Sequence, residues 1–310
     1  MFFPQRALQA EQPLAGTVYM TNARQLVANL SETLAMPPVY RRVRTLMEAQ
    51  DANIDHYVEV VATDSSLAER VIRLANSKFL GYRRRAHNLK QAITLIGAVQ
   101  VHDLLVGSLS LRAFSSLPPI LMDVDRFWRG NIKCGILARN ISRQALMPAK
   151  ERLFTIGLLH DIGHVAMFLK IPVQTQQALA IAADTGQSIH SVEQQLLGFH
   201  YGTVGCELAQ FWQLPDIYTD TIGNHMEPTQ ATRNRIEKAI INVARHLAML
   251  PPDSNLAATD LDRCPGWRLL NLSLQQAQQL LKEAESWEEE LFLTLNSSPE
   301  SHSTLRFGGL

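Results

Sequence analysis

LLHDIGHVAM, residues 158–167, places a His-Asp doublet and a further histidine four positions on inside an apolar run. The surrounding stretch LFTIGLLHDIGHVAMFLKI (153–171) has apolar residues on every side of a helical wheel. A helix that is apolar all round is a buried helix. Burying even a neutral polar group without a partner costs about 2–7 kcal/mol. Asp161 therefore requires a cation, a donor network or a metal. The pattern predicts one helix over ERLFTIGLLHDIGHVAMFLK (151–170).

The rest of the chain narrows the choice. The 310 residues are 46% hydrophobic and 19% charged, a core-forming composition with room for one large domain or two small ones. Lys and Arg (29) balance Asp and Glu (29), so no overall field draws nucleic acid or an anionic membrane. Cys134, Cys206 and Cys264 follow no metal or redox spacing and suit a reducing compartment. The N-terminus, MFFPQRALQAEQPLAG, lacks the basic start and apolar core of a signal peptide. The best membrane candidate, AITLIGAVQVHDLLVGSLSLRAF (92–114), is interrupted by His102 and Asp103, whereas a span needs ~20 apolar residues. A cytoplasmic protein without a membrane segment is expected.

Periodicity is helical almost throughout, which predicts an all-α fold. Pro37-Pro38 opens a helix, Ser66-Leu67-Ala68-Glu69 reads as a capping box, and Gly81 with YRRRAHN forms a loop. SSLPPILMDVD (115–125) is the expected lobe boundary. Beyond it, DRFWRGNIKCGILARNISRQA (125–145) reads as a long amphipathic helix. Pro215 and Pro251-Pro252 stop later helices, and SLQQAQQLLKEAESWEEELFLTL (273–295) forms the last one. The expected organisation is an N-terminal segment (1–24), one helical lobe (25–118), a second (119–252), a C-terminal helical extension (253–295) and a tail (296–310). Trp128 and Trp212 read as core anchors. Asn76 and Ser77 read as capping or lobe-joining groups, and Glu283–Glu290 as the wet face of the last helix. Arg83-Arg84-Arg85 reads as a solvated loop, so nucleic acid is not an expected partner.

Two histidines near helix edges join the doublet as site candidates: His200 in LLGFHYGTVG and His225 in IGNHMEP. Imidazole with carboxylate suits iron, manganese or zinc, and helices of a bundle commonly present ligands to a shared core. The bland alternative is a buried, hydrogen-bonded His160–Asp161 pair that joins two helices, with His164 a satisfied core histidine. Both readings stand on the residues alone.

The ordered segments carry a resemblance. LAMPPVYRRVRTLMEA, DSSLAERVIRLANSKFLG, AITLIGAVQVHDLL, FWRG, GLLHDIGH, EQQLLGFHYGTVGCELAQFWQLP and IGNH follow one another over roughly residues 25–250. In that order they resemble the HDOD group of bacterial signalling proteins, relatives of the HD superfamily of metal-dependent phosphohydrolases. The resemblance implies a two-lobed helical bundle of HD-domain type. It also implies a divalent metal (iron, manganese or zinc) held by His160, Asp161, His200 and His225.

Departures from the catalytic pattern decide the expected function. The histidine that catalytic relatives carry on the helix before the doublet aligns with Gly130, and their terminal aspartate aligns with Arg245. The related HD-GYP phosphodiesterases follow the doublet with a lysine and a later H-H-E, where this chain has His164 and His225-Met226-Glu227. The first metal position thereby loses two ligands. Glu193 and Glu227 read as caps or as supports of ligands. His164 and Arg245 could face a phosphate. The expected function is a non-catalytic regulatory module acting on a signalling protein in trans or through a small ligand. The alternative is a metal-dependent phosphohydrolase acting on a nucleotide or phosphodiester.

Overall fold

The computed structural model describes residues 22–30, 33–114, 122–145, 147, 150–251 and 256–296. No strand occurs among them, in agreement with the all-α expectation. The first 21 residues, most of the expected lobe boundary (115–121) and the tail beyond Asn296 lie outside the described residues.

Helix α1 (Ala23–Ala28) is capped by the Asn22 side chain. Then come α2 (Pro38–Glu48), α3 (Ile54–Ala62), α4 (Ser65–Asn76), α5 (Leu89–Ile96) and α6 (Ala98–Phe114). After these run α7 (Val124–Gln144), α8 (Lys150–Leu159), α9 (Ile162–Lys170), α10 (Pro172–Thr185) and α11 (Ile189–Leu197). The chain continues through α12 (Tyr201–Phe211), α13 (Asp216–Asn224), α14 (Arg235–Ala248), α15 (Ala258–Asp262), α16 (Trp267–Leu270) and α17 (Leu274–Asn296).

Contacts divide the chain into two compact units. One is Met36–Ala113 with α17 from Glu285 on, and the other is α1 with Phe114–Ala284. These bounds differ from the expected 25–118 and 119–252. Helix α1 packs on α9 and α12, which carries it into the larger unit. The expected 253–295 extension does not stand apart. Its α16 packs on α14, and Glu283 of α17 accepts a hydrogen bond from Asn140 of α7 at 3.3 Å.

In the smaller unit, side-chain caps define the helices. Asn53, Asp64 and Asn88 accept from the first turns of α3, α4 and α5. The cap of α4 is therefore Asp64, whose carboxylate accepts from Leu67 N–H at 3.0 Å, and the expected Ser66–Glu69 box does not form. A carboxylate at a helix N-terminus gains both a hydrogen bond and a favourable dipole interaction. Asn76 clamps the loop after α4 by two 2.8 Å bonds to the Ala86 backbone, and Ser77 caps the helix end. Arg83, Arg84 and Arg85 are exposed, as a solvated loop requires. Gly97, at φ 90°, bends α5 against α6 by 107°, so the apolar 92–114 stretch is two helices.

In the larger unit, α7 is buried on nearly every side and is not the amphipathic helix expected. Helices α8 and α14 pack against it. Close approach of α8 depends on glycine: a Cβ on Gly157 would lie 2.8 Å from the Cα of Gly135. Helix α9 meets α12 in the same way, since a Cβ on Gly163 would overlap the Tyr201 carbonyl oxygen. Trp128 and Trp212 are both core residues, and the Trp212 indole N–H donates to Leu34 O at 2.6 Å.

The expected helix 151–170 is broken at the doublet. The Gly157 carbonyl, which a continuous helix would offer to Asp161 N–H, accepts a 2.7 Å bond from the His160 ring at Nδ1. Asp161 takes φ −110°, ψ 9°, and α9 starts afresh. Lys150–Lys170 is long and apolar enough to cross a membrane, but 89% of it is buried inside the molecule.

Candidate functional site

The break turns Asp161 away from a capping role and toward His164 one turn on. Its Oδ1 lies 2.6 Å from His164 Nδ1, and no side-chain cap bond is made to α9. The other ring nitrogen of His164 is 2.8 Å from Glu193 Oε1 on α11. Glu193 Oε2 in turn accepts from Tyr201 N–H at 2.8 Å. All three side chains are buried. Only an imidazolium donates from both nitrogens. Burial opposes that charge, but Asp161 and Glu193 together raise the His164 pKa to about 10. For Asp161 burial works upward, and the imidazolium beside it overrides this and sets the carboxyl at about 2.

Tyr201, the first residue of α12, is the hub of the next layer. Its ring stacks on His164 at 4.3 Å between centroids. Its hydroxyl lies 3.2 Å from His225 Nε2, and the Arg245 guanidinium stands 5.7 Å above its ring centre. His225 ends α13 with Nδ1 on the Ile222 carbonyl at 2.9 Å, so Nε2 accepts from the tyrosine. Its ring meets His160 edge-on at 5.4 Å. Because Nδ1 of His160 donates to Gly157, Nε2 keeps its lone pair. Burial is the main reason that His160 falls to about 4 and that His225 is held well below an ordinary histidine. Both are neutral.

His160, Asp161, His164, His225 and Arg245 line one cavity of about 430 Å³. That is the size of an ordinary small-molecule site. Glu193 supports the cavity from behind. His200 is not part of it. Its ring caps α12, accepting at Nδ1 from Thr203 N–H at 3.4 Å, and lines an adjoining cavity of about 610 Å³ with Asp220 and Glu227, the two cavities sharing His190 and Met226. Glu227 is exposed there.

The expected metal set of His160, Asp161, His200 and His225 is therefore not assembled. Among the described residues, no three His, Cys, Asp or Glu side chains converge to hold an ion. Asp161 is engaged by a protonated histidine, His225 Nε2 by Tyr201, and His200 by its own helix. Arg245 adds a fixed positive charge to the same walls. These residues do not fit a metal centre.

Several site residues gave no signal in the sequence. Tyr201 is masked by its neighbour His200, although an inward position in the first turn of α12 is what gives it three ring contacts. Cys134 is the α7 residue whose thiol senses Arg245 and Asp161, with burial the main cause that pushes it up. It sits one turn beyond Gly130 on the same helix. Asn242 donates to Met226 O and accepts from Gly266 N–H, which fixes two loops at the cavity rim.

The HDOD domain model matches residues 34–228, more than half of the chain. A relative of undetermined role in Treponema pallidum is 22% identical over 213 residues, covering 66% of this chain. The chain spans only 40% of that relative's length. An HDOD domain protein of unknown function from Geobacter sulfurreducens superposes with a TM-score of 0.66 at 19% identity, covering 89% of this chain and 97% of its own. A Shewanella amazonensis protein provisionally described as a phosphohydrolase gives 0.68 at 20%, covering 89% and 99%. A Marinobacter aquaeolei protein provisionally described in signal transduction gives 0.63 at 19%, covering 91% and 68%. At these identities the structures establish the shared fold.

Proposed function

Because the chain belongs to the HDOD family, we propose that it is a regulatory module of bacterial signal transduction that binds rather than hydrolyses. One observation carries this reading. Asp161, which a hydrolytic HD site would use on a metal, is bound to the His164 imidazolium, while Arg245 occupies the same cavity wall. Activating a water at such a site requires an ion with open coordination positions. The side chains here are committed to one another. The module acts in the cytoplasm on a signalling protein in trans or through a small ligand in the cavity. The description of the Marinobacter neighbour supports the signalling class.

The test is incubation of the pure protein with mononucleotides and cyclic dinucleotides, with manganese or iron added. No product is expected, even at stoichiometric metal. Turnover that disappears in Asp161→Asn would establish the alternative, a metal-dependent phosphohydrolase.

A further inference from the structure

The cavity holds polar groups that the protein itself leaves unanswered. Arg245 has no hydrogen-bond or ion-pair partner among the described residues, and its guanidinium stands over the Tyr201 ring. His160 spends Nδ1 on Gly157 and has no partner at Nε2. His246, also in the wall, has a buried Nε2 without a partner. Buried polar atoms of native proteins are nearly always paired, so each exception calls for a reason. Arg245, half-buried, and His160 both line the cavity, where a bound molecule can meet them.

The charge of the walls specifies the ligand. Arg245, the His164 imidazolium and Arg263 at the exposed rim face a single lining carboxylate, Asp161. The carboxylate is already matched by His164. Glu193 behind the wall also pairs with His164, so the two carboxylates balance two of the three cations and one net positive charge is left for an anion. An Arg fork matches the oxygens of phosphate or carboxylate in a bidentate manner. The bare Nε2 of His160 distinguishes the two, because it needs a donor. An ionised carboxylate offers acceptors alone, whereas a phosphate monoester, with a second pKa near ~6, still carries a P–OH in part of its population near neutral pH.

We propose that this cavity is a metal-independent receptor for a small molecule bearing a phosphate monoester, anchored by Arg245 with Arg263 adding positive charge at its rim. The inference rests on the non-catalytic reading and adds the ligand class to it. Arg245 takes two phosphate oxygens, and the protonated third oxygen donates to His160 Nε2. Leu179, Ile189 and Met249 give the same cavity an apolar wall for the remainder of the molecule.

Calorimetric titration of the full chain in EDTA, with 5′-AMP, inorganic phosphate, adenosine and acetate in turn, tests this. 5′-AMP is expected to bind, phosphate to bind more weakly, and adenosine and acetate to give no heat. Arg245→Gln is expected to weaken 5′-AMP at least tenfold, and Arg263→Ala, on the exposed rim, severalfold with no change in melting temperature. Circular dichroism establishes that Arg245→Gln is folded. Absence of heat with both 5′-AMP and phosphate overturns the proposal, as does unchanged affinity in Arg245→Gln. Acetate binding as well as phosphate does also. None of these failures produces turnover, so the non-catalytic reading would survive them.

Discussion

The chain contains the dipeptide His-Asp twice, and the two copies have different fates. His102-Asp103 lies within the continuous helix α6, buried at 1% and 3% exposure. Its two side chains face each other at 3.3 Å, and Tyr40 lies against the histidine ring. His160-Asp161 is equally buried, but the helix breaks there. The break lets His160 turn one nitrogen onto the backbone while its residue lines a cavity, and sends Asp161 to His164. Residue identity is the same in both places. Backbone geometry separates a structural pair from a site.

The largest test of that contrast is His164→Ala. It leaves Asp161 and Glu193 as unpaired buried charges, a change worth about 3–5 kcal/mol. Urea denaturation at pH 6 should show a loss of that order. The loss has a pH signature. Folding raises the His164 pKa from 6.5 to about 10, so its contribution is complete below 6.5 and fades as pH climbs through 10. Folding lowers the Asp161 pKa from 3.8 to about 2, so that contribution is complete above 3.8 and fades as pH falls through 2. The gap between wild type and His164→Ala should therefore be widest between pH 3.8 and 6.5 and narrow by pH 10. A gap that widens above pH 7 would contradict the charge assignment.

Gly163→Ala should come next. The new methyl meets the Tyr201 carbonyl, and overpacking of this kind costs typically about 1–3 kcal/mol. Because Tyr201 holds both His164 and His225, the variant should also lose 5′-AMP binding, measured by the same titration. The smallest effect belongs to the other doublet. His102→Gln should cost about 1 kcal/mol, the worth of an ordinary hydrogen bond, and leave ligand binding unchanged. Equal costs for His102→Gln and His164→Ala would erase the distinction between the two doublets.

Much of the fold was legible in the sequence because its signals are local. Pro38 and Pro215 mark helix ends where they were expected to, and the apolar 153–171 run is buried as its pattern requires. The break at 160–161 was not legible. It depends on a side-chain nitrogen competing for a backbone carbonyl, and apolar residues on both sides conceal that competition. The Ser66 cap failed for a similar reason, since Asp64 two residues earlier is the better acceptor. At the site, His160, Asp161, His225 and Arg245, which the ordered pattern of segments singled out, line one cavity. His200 does not, because a histidine at a helix start can spend its ring on that helix. Tyr201, Cys134 and His246 depend on long-range packing and leave no periodic or motif signal.

The central claim is that Arg245 and the His164–Asp161 pair leave no metal centre in this cavity. Metal content settles it most directly: the protein is dialysed against manganese, iron(II) and zinc in turn, freed of loose ion, and analysed for bound metal. The account predicts well under one equivalent of each, unchanged in Asp161→Asn. One or more tightly held equivalents, lost in that variant, would contradict it.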